Sequence, residues 1–200
     1  MCGMTRAEDV AHAINLGVDA IGLIFYLKSP RYITIEPARF LLKNLPPFVS
    51  AVAVLVDPEI ALVEQILDEL PIHLLQFHGD ESPEFCQQFD KPYIKAIRPH
   101  TADQIKQEMN RYSKAGALLL DTPSDTGKGG TGLTFDWNII PRDLPKPYIL
   151  SGGLNQGNVS EAIKIHPYAV DVCSGIEVQP GIKDHLKMSQ FIKEARKNNE

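Results

Sequence analysis

Apolar runs rich in β-branched residues alternate with amphipathic stretches along the whole chain, and no linker or low-complexity segment interrupts them. Within these runs the apolar residues are consecutive, a pattern typical of parallel strands that are buried on both faces of a sheet. Seven runs predict strands, at Ala20–Phe25, Ser50–Val56, His73–Phe77, Tyr93–Arg98, Ala117–Asp121, Tyr148–Ser151 and Ala169–Cys173.

The amphipathic stretches begin at helix start signals. Thr5–Glu8 and Thr101–Gln104 have the sequence of a capping box, and Asp57-Pro58 and Ser82-Pro83 each offer an N-cap followed by proline. Eight helices are predicted in all. Four begin at these signals, the first over Arg6–Leu16, and the others cover Glu36–Leu45, a short segment at Trp137–Ile140, Asn158–Ile165 and Lys183–Lys197.

The alternation of strands and helices predicts an α/β fold with right-handed crossovers, either an open doubly wound sheet or a closed (β/α)8 barrel. Eight helices favour the TIM barrel, as a single domain over residues 1–200. Seven predicted strands leave the barrel one strand short. Because the first helix begins near Arg6, the first strand is expected to be truncated or absent, and we expect the native chain to start upstream of Met1.

Charge and composition argue against several classes of partner. A net charge of −5 without a basic cluster argues against nucleic acid, and the apolar runs are far shorter than the ~20 residues that span a bilayer. The first residues lack the apolar core of a signal peptide and three cysteines cannot all pair, so we expect a cytoplasmic protein. No spacing of His, Cys and carboxylates indicates a metal site. We also expect a monomer rather than a dimer.

Candidate chemistry gathers at the carboxyl ends of the predicted strands, where a barrel places its active site. Asp121 ends a buried run, where a carboxylate is more often functional than a helix cap or salt-bridge partner. Cys2 lies just before the first helix, whose dipole favours a thiolate that acts as base or nucleophile, although a small buried apolar role stays open. Residues 122–134, rich in small polar residues, are expected to form a mobile lid.

Glycines follow the last two predicted strands, in Ser151-Gly152-Gly153-Leu154 and Cys173-Ser174-Gly175. Glycine lets backbone N–H groups approach an anion closely, and the corresponding two loops form the phosphate site of many barrels. Plain turns also use glycine, but the position of these residues favours phosphate binding.

The chain carries a series of motifs that runs over nearly its whole length. They are Cys-Gly-Met-Thr-Arg at 2–6, Gly-Leu-Ile-Phe-Tyr at 22–26, Lys-Ser-Pro-Arg-Tyr at 28–32, Gln-Phe-His-Gly-Asp-Glu at 76–81, Leu-Asp-Thr at 120–122, Gly-Gly-Thr-Gly at 129–132, Phe-Asp-Trp at 135–137, Leu-Ser-Gly-Gly-Leu at 150–154 and Val-Asp-Val-Cys-Ser-Gly-Ile-Glu at 170–177. This series resembles the phosphoribosylanthranilate isomerase family. The resemblance implies an Amadori rearrangement of N-(5-phosphoribosyl)anthranilate to 1-(o-carboxyphenylamino)-1-deoxyribulose 5-phosphate in tryptophan biosynthesis, with no metal or organic cofactor.

The resemblance also implies roles for the matching residues. Asp121 would be the general acid that protonates the furanose ring oxygen, Cys2 the general base that removes the C2′ proton, and Arg31 the partner of the anthranilate carboxylate. Both the acid and the base need pKa values near working pH, which we expect a closed pocket and a helix N-terminus to provide. The remaining substrate contacts would come from the phosphate-binding residues Gly152, Gly153, Ser174 and Gly175, from Asp171 at the ribosyl portion or supporting the acid, and from Gln76 and His78 in a supporting layer.

Two departures from the family pattern stand out. Only Met1 precedes the cysteine, whereas the family has several residues there, and position 173 is cysteine where the family usually has serine. Cys2 and Cys173 would lie on adjacent strands and could form a disulfide under oxidation. Two alternatives stay open: a catalytically weak phosphate-binding barrel, or another sugar-phosphate barrel. The chain lacks both the metal-binding His and Asp residues expected of a ribulose-phosphate epimerase and the lysine pair expected of an indoleglycerol-phosphate synthase.

Overall fold

A parallel sheet of seven strands forms the centre of the molecule, whose computed structural model describes residues 1–122 and 134–197. Each strand pairs with the next one along the chain. The strands are β1 Ala20–Ile24, β2 Ser50–Leu55, β3 Leu74–Phe77, β4 Tyr93–Ile97, β5 Ala117–Leu120, β6 Tyr148–Leu150 and β7 Ala169–Val170. Every strand falls within a predicted run, so the parallel arrangement predicted from the apolar runs is confirmed.

Helices alternate with these strands, as the predicted crossovers require. The described residues contain the α-helices α1 Ala7–Asn15, α2 Ile35–Leu42, α3 Ile60–Glu69, α4 Pro83–Gln87, α5 Ala102–Arg111, α6 Val159–Ile163 and α7 His185–Arg196. Two short 3-10 helices cover Trp137–Ile139 and Ser174–Ile176. Among the helices of this part of the chain, none has the length and apolar character needed to cross a membrane.

Two of the predicted helices differ from the structure. The segment predicted at Trp137–Ile140 is a 3-10 helix, not an α-helix. The last helix starts later than predicted, because the Asp184 side chain accepts hydrogen bonds from two backbone N–H groups of its first turn and caps it there. Lys183 belongs instead to β9 (Ile182–Lys183), which pairs antiparallel with β8 (Glu177–Gln179). This change moves a lysine from a helix into the sheet region beside the site.

Two of the four predicted helix starts carry the expected cap. The side chains of Ser82 and Thr101 accept hydrogen bonds from the first turns of α4 and α5. At the other two starts the prediction is wrong because a distant partner takes the side chain. Thr5 donates to the carbonyl of Gly181, and Asp57 accepts from a backbone N–H of the loop after β3. The helices α1 and α3 therefore begin without a side-chain cap.

Residues 1–4 run beside β1, although they are too irregular to count as a strand. The N–H of Gly22 donates to the carbonyl of Met1 (N···O 2.9 Å), and the N–H of Met4 donates to the carbonyl of Gly22 (3.0 Å). On the other side, the N–H of Cys2 donates to the carbonyl of Val172, just beyond β7 (2.9 Å). The start of the chain is thus hydrogen-bonded to β1, one edge strand of the seven-stranded sheet, and to the segment just beyond β7, the other edge strand.

Alternate side chains of the strands pack on opposite faces of the sheet. One face joins the helices in the main core, which includes Leu23, Leu75 and Leu118. The other, inner face forms smaller apolar clusters; one consists of Ile94, Ala96, Ala117 and Leu119, and another of Cys2, Val52 and Val54. Continuing this alternation past the end of β5 assigns Asp121 to the inner face.

Candidate active site

Polar side chains extend the inner face at the carboxyl ends of the strands. Gln76 lies on β3 with His78 two residues later, Asp121 follows β5, Ser151 follows β6, and Asp171 follows β7. Because side chains two residues apart share a face of a strand, these groups lie above the small inner clusters. Polar and ionisable groups thus meet above an apolar floor, the arrangement that the sequence predicts for this end of the sheet.

Asp121 is part of a hydrogen-bonded chain with two residues from β3 and the loop after it. Its Oδ2 lies 3.0 Å from His78 Nε2, and Gln76 Nε2 lies 3.0 Å from His78 Nδ1. When the amide of Gln76 donates to Nδ1, the ring proton sits on Nε2 and points at the Asp121 carboxylate. His78 therefore contacts the candidate acid directly instead of forming a more remote support.

The environment of Asp121 shifts its pKa in the direction opposite to the expected one. Burial alone would raise the pKa, but the hydrogen bond from His78, the N–H of Thr122 (2.9 Å) and the charge of Arg98 together lower it below its usual value. Asp121 is therefore a carboxylate in the substrate-free molecule.

The Cys2 and Cys173 thiols meet beside β1. They are hydrogen-bonded to each other, and Cys173 packs against the small apolar cluster that contains Cys2. Glycines make room for both sulfurs. A Cβ built on Gly22 would lie 2.8 Å from the Sγ of Cys2, and one built on Gly3 would lie 2.8 Å from the Sγ of Cys173. Both cysteines are reduced, and Cys2 is only 7% exposed.

The hydrogen bond between the thiols makes them unequal. That bond and burial raise the pKa of Cys2 well above its usual value. The same bond, with help from the charges of Lys183 and Arg31, lowers the pKa of Cys173. A thiolate at this pair is therefore favoured on Cys173, whereas the sequence favours it on Cys2 through the helix dipole. The nearby sulfur and charges outweigh the weaker backbone dipole.

Arg31 is held by an acidic side chain that the sequence interpretation gives no role. Its Nε and Nη2 donate to the two carboxylate oxygens of Glu177 at 2.8 and 2.6 Å. Lys183 Nζ donates to the same carboxylate at 2.9 Å. The side chains are 12%, 4% and 0% exposed for Arg31, Glu177 and Lys183. Arg31 is thus already paired through one edge of its guanidinium.

This buried ion cluster is also a structural element. The two cations lower the pKa of Glu177 although its burial would raise it, and Glu177 in turn raises the pKa of Arg31. Leaving one member of such a buried pair without its partner costs about 3–5 kcal/mol. The cluster fixes the small β8–β9 hairpin against the end of β7 and the loop after β1.

The loops after β6 and β7 approach each other beside Asp121. Gly152 has a φ of 78°, and a Cβ there would lie 2.8 Å from Oδ1 of Asp121. A Cβ on Gly175 would collide with the carbonyl of Leu154, so this second glycine permits contact between the loops. The four expected phosphate-binding residues lie in these two loops: Gly152, Gly153, Ser174 and Gly175.

Asp171 lies with the site residues but has a partner of its own. The Ser151 hydroxyl donates to Oδ2 of Asp171 at 3.2 Å, and the charge of Asp171 contributes to the raised pKa of Cys2.

The lid expected over residues 122–134 falls outside the described residues except at its two ends. Within residues 1–122 and 134–197, no group of three or more His, Cys, Asp or Glu residues is arranged to hold a metal ion.

Comparison with known proteins identifies the family of the chain. The profile of the N-(5′-phosphoribosyl)anthranilate (PRA) isomerase family matches residues 1–194. The chain belongs to this family. Among its relatives, the N-(5′-phosphoribosyl)anthranilate isomerase of Legionella pneumophila (strain Lens) is 66% identical over 194 residues, which are 96% of this chain and 94% of the relative.

Solved structures of PRA isomerases have the same fold. The enzyme from Thermotoga maritima superimposes with a TM-score of 0.91 at 40% identity, covering 98% of this chain and 97% of that one. A PRA isomerase in complex with reduced 1-(o-carboxyphenylamino)-1-deoxyribulose 5-phosphate superimposes with a TM-score of 0.87 at 38% identity, covering 98% and 96% of the two chains. The curled parallel sheet is thus the PRA isomerase fold.

The contact between Cys2 and Cys173 predicts a disulfide in this PRA isomerase family member under oxidation. Peroxide converts the Cys173 thiolate to a sulfenic acid, and the Cys2 thiol then displaces water to form the S–S bond. We expect the intact mass to fall by two hydrogens and a peptide map to join the two cysteines. The Cys86→Ala variant should behave identically. Three free thiols after peroxide treatment would contradict the prediction.

Proposed function

We propose that the protein catalyses the rearrangement of N-(5-phosphoribosyl)anthranilate to 1-(o-carboxyphenylamino)-1-deoxyribulose 5-phosphate in tryptophan biosynthesis, without a cofactor. The observation that carries the proposal is an acid–base pair of the right kind at one end of the sheet. The hydrogen-bonded Asp121 and His78 lie above the same inner face as the thiol of Cys2. Membership of the PRA isomerase family supports the assignment.

Asp121 is the general acid in this proposal. It protonates the furanose ring oxygen, and the ring opens to a Schiff base between C1′ and the anthranilate nitrogen. Because Asp121 is a carboxylate in the free molecule, it takes up a proton from solvent before it acts as the acid. The Nε2 of His78 lies 3.0 Å from Oδ2 and orients the carboxyl group. Gln76 in turn fixes the ring of His78.

Cys2 is the general base. As a thiolate it removes the C2′ proton of the Schiff base, giving an enolamine that tautomerises to the ketone product. Its Sγ is buried against Gly22, and the hydrogen bond from its N–H to Val172 fixes the backbone that carries it. A base held in this way keeps the orientation that proton abstraction from carbon requires.

The substrate is held by groups around this acid and base. Arg31 uses Nε and Nη2 for Glu177, which leaves the edge that carries Nη1 for the anthranilate carboxylate. The phosphate binds at the backbone of the two glycine loops, and Asp171 contacts the ribosyl portion. These residues are Gly152, Gly153, Ser174 and Gly175 for the phosphate, and Arg31, Gln76, His78 and Asp171 for the rest of the substrate.

Residues 1–4 take the place of the first strand and close the sheet into a (β/α)8 barrel. The hydrogen bonds from Cys2 to Val172 and between Gly22 and its neighbours Met1 and Met4 support this proposal. Closure covers the edges of β1 and β7, which would otherwise invite pairing with another chain. A closed barrel is consistent with a monomer.

An assay with purified protein tests the proposed function. We expect the protein to consume phosphoribosylanthranilate, followed by the loss of its fluorescence, and light scattering on the same sample should give the mass of one chain. Binding of the reduced product analogue without turnover would favour a catalytically weak barrel instead. If the protein neither turns over phosphoribosylanthranilate nor binds the reduced product analogue, the proposal is rejected altogether.

A further inference from the structure

Cys173 has a more polar environment than the apolar cluster beside it suggests. Lys183 Nζ donates to the carbonyl of Cys173 at 3.1 Å and lies 3.9 Å from its Sγ. The Arg31 Cδ and the Cys173 Sγ flank Gly3, each 2.8 Å from the position that a Cβ there would occupy. This sulfur thus lies 3.9 Å from a buried ammonium group, next to the Arg31 side chain whose charge acts on it, and in hydrogen-bond contact with Cys2.

Among the groups that act on Cys173 itself, two cations face one carboxylate. Arg31 and Lys183 are cations, and Glu177 is the carboxylate that binds both. Burying an uncompensated charge is costly, so a negative group next to the two cations is favoured. The groups that face the thiol pair from the surrounding segments are Arg31 from the loop after β1, Glu177 from β8, Lys183 from β9, and Asp171 from the end of β7, the last of which acts on Cys2.

We propose that Cys173 is a positioning residue that carries the resting negative charge of the thiol pair and takes the proton of Cys2 to make Cys2 the active base. The inference rests on the proposed function and deepens it. The S–H bond of Cys2 breaks as the S–H bond of Cys173 forms, so one proton moves along the existing hydrogen bond and the pair keeps a single negative charge. The thiolate of Cys2 then removes the C2′ proton.

The direction of the shifts at the two sulfurs agrees with this arrangement. The hydrogen bond from Cys2 lowers the pKa of Cys173 and raises that of Cys2. The pKa at which the first proton leaves therefore belongs to the pair and not to either residue alone, whereas the charge that remains lies on Cys173. A serine at position 173 would keep the shape and could donate to a thiolate, but it could not hold the charge.

The pH profile of the Cys173→Ser variant tests the inference. Without Cys173, Cys2 must ionise by itself in a buried site. We expect the acid limb of kcat/KM to move up by about one pH unit, which lowers kcat/KM on that limb about tenfold, with no loss on the alkaline plateau. An unmoved limb, or an equal loss at every pH, would mean that Cys173 only packs and would overturn the proposal.

A titration without substrate locates the charge directly. We expect the ultraviolet absorbance of one thiolate to appear at a lower pH than that of an ordinary thiol in the unmodified protein and in Cys2→Ser, and this early absorbance to be lost in Cys173→Ser. Cys86→Ala is the matched control, because burial raises the pKa of Cys86 to about 12 and keeps this thiol out of the titration. Absorbance that is lost in Cys2→Ser and kept in Cys173→Ser would place the charge on Cys2 and overturn the proposal.

The two measurements separate this proposal from the proposed function. If the protein does not turn over phosphoribosylanthranilate, the proposed function fails, whereas the substrate-free titration still reports where the thiolate lies. If turnover is normal but the absorbance follows Cys2, the isomerase assignment stands and the role of Cys173 is wrong.

Discussion

The Asp121→Asn variant is expected to lose activity on phosphoribosylanthranilate by roughly 10²- to 10⁴-fold in kcat, the usual contribution of a general acid. An asparagine has the shape of the aspartate, and its amide oxygen accepts the hydrogen bond that His78 Nε2 gives to Oδ2 at 3.0 Å. It has no acidic proton to deliver to the ring oxygen. The loss is measured as the rate of substrate fluorescence decay at saturating substrate.

A matched substitution separates lost chemistry from lost structure. Asp68→Asn makes the same chemical change at an exposed position of α3 and should leave kcat unchanged. Calorimetry with the reduced product analogue should show that Asp121→Asn still binds the ligand, because the phosphate and carboxylate contacts come from other residues. A kcat within about tenfold of the unmodified protein would reject Asp121 as the acid.

The strands of the parallel sheet could be predicted from the sequence because they depend on local patterns. Continuous apolar runs gave the seven strands in their correct places. The candidate residues Gln76, His78 and Asp121 could be found because each lies at or just beyond the end of a strand. The hydrogen bonds between them could not be predicted, since these depend on how neighbouring strands bring side chains into contact.

The buried ion cluster could not be predicted because its members are far apart in the chain. Arg31 and Glu177 are separated by 146 residues, and no local pattern marks one as the partner of the other. Lys183 is preceded by a turn at Gly181, whose φ is 83°, and this turn joins β8 to β9 in a short hairpin where the sequence predicts a helix. A polar residue just before a helix cap can equally belong to either element.

The pKa shifts of Asp121 and Cys2 could not be predicted either, because they too depend on contacts between distant parts of the chain. A helix dipole or a closed pocket can be inferred from sequence, but both pKa directions are decided by side chains within hydrogen-bond distance: His78 for Asp121, and Cys173 for Cys2. In the free molecule the proposed acid is therefore charged and the proposed base is neutral. In the proposed mechanism Asp121 has to gain a proton and Cys2 has to lose one before the reaction can begin.

Replacing Cys2 with alanine is expected to remove turnover to a similar extent, roughly 10²- to 10⁴-fold in kcat. Alanine keeps the backbone N–H that donates to the Val172 carbonyl at 2.9 Å, so the residue 1–4 segment stays in place. It fits easily beside Gly22, where the sulfur now packs. What is lost is the proposed acceptor of the C2′ proton. The measurement is kcat over a range of pH, so that a shifted optimum is not mistaken for lost activity.

The residual activity of Cys2→Ala then decides between the two sulfurs. Cys173 keeps its contacts with Lys183 in this variant but loses the hydrogen bond from Cys2 that lowers its pKa most. Cys86→Ala removes a buried thiol on α4, away from the site, and should keep near-normal kcat. If Cys2→Ala is about as active as that control, Cys2 is not the base and Cys173 becomes the next candidate. If Cys2→Ala is inactive but still binds the reduced product analogue, Cys2 alone accounts for proton abstraction.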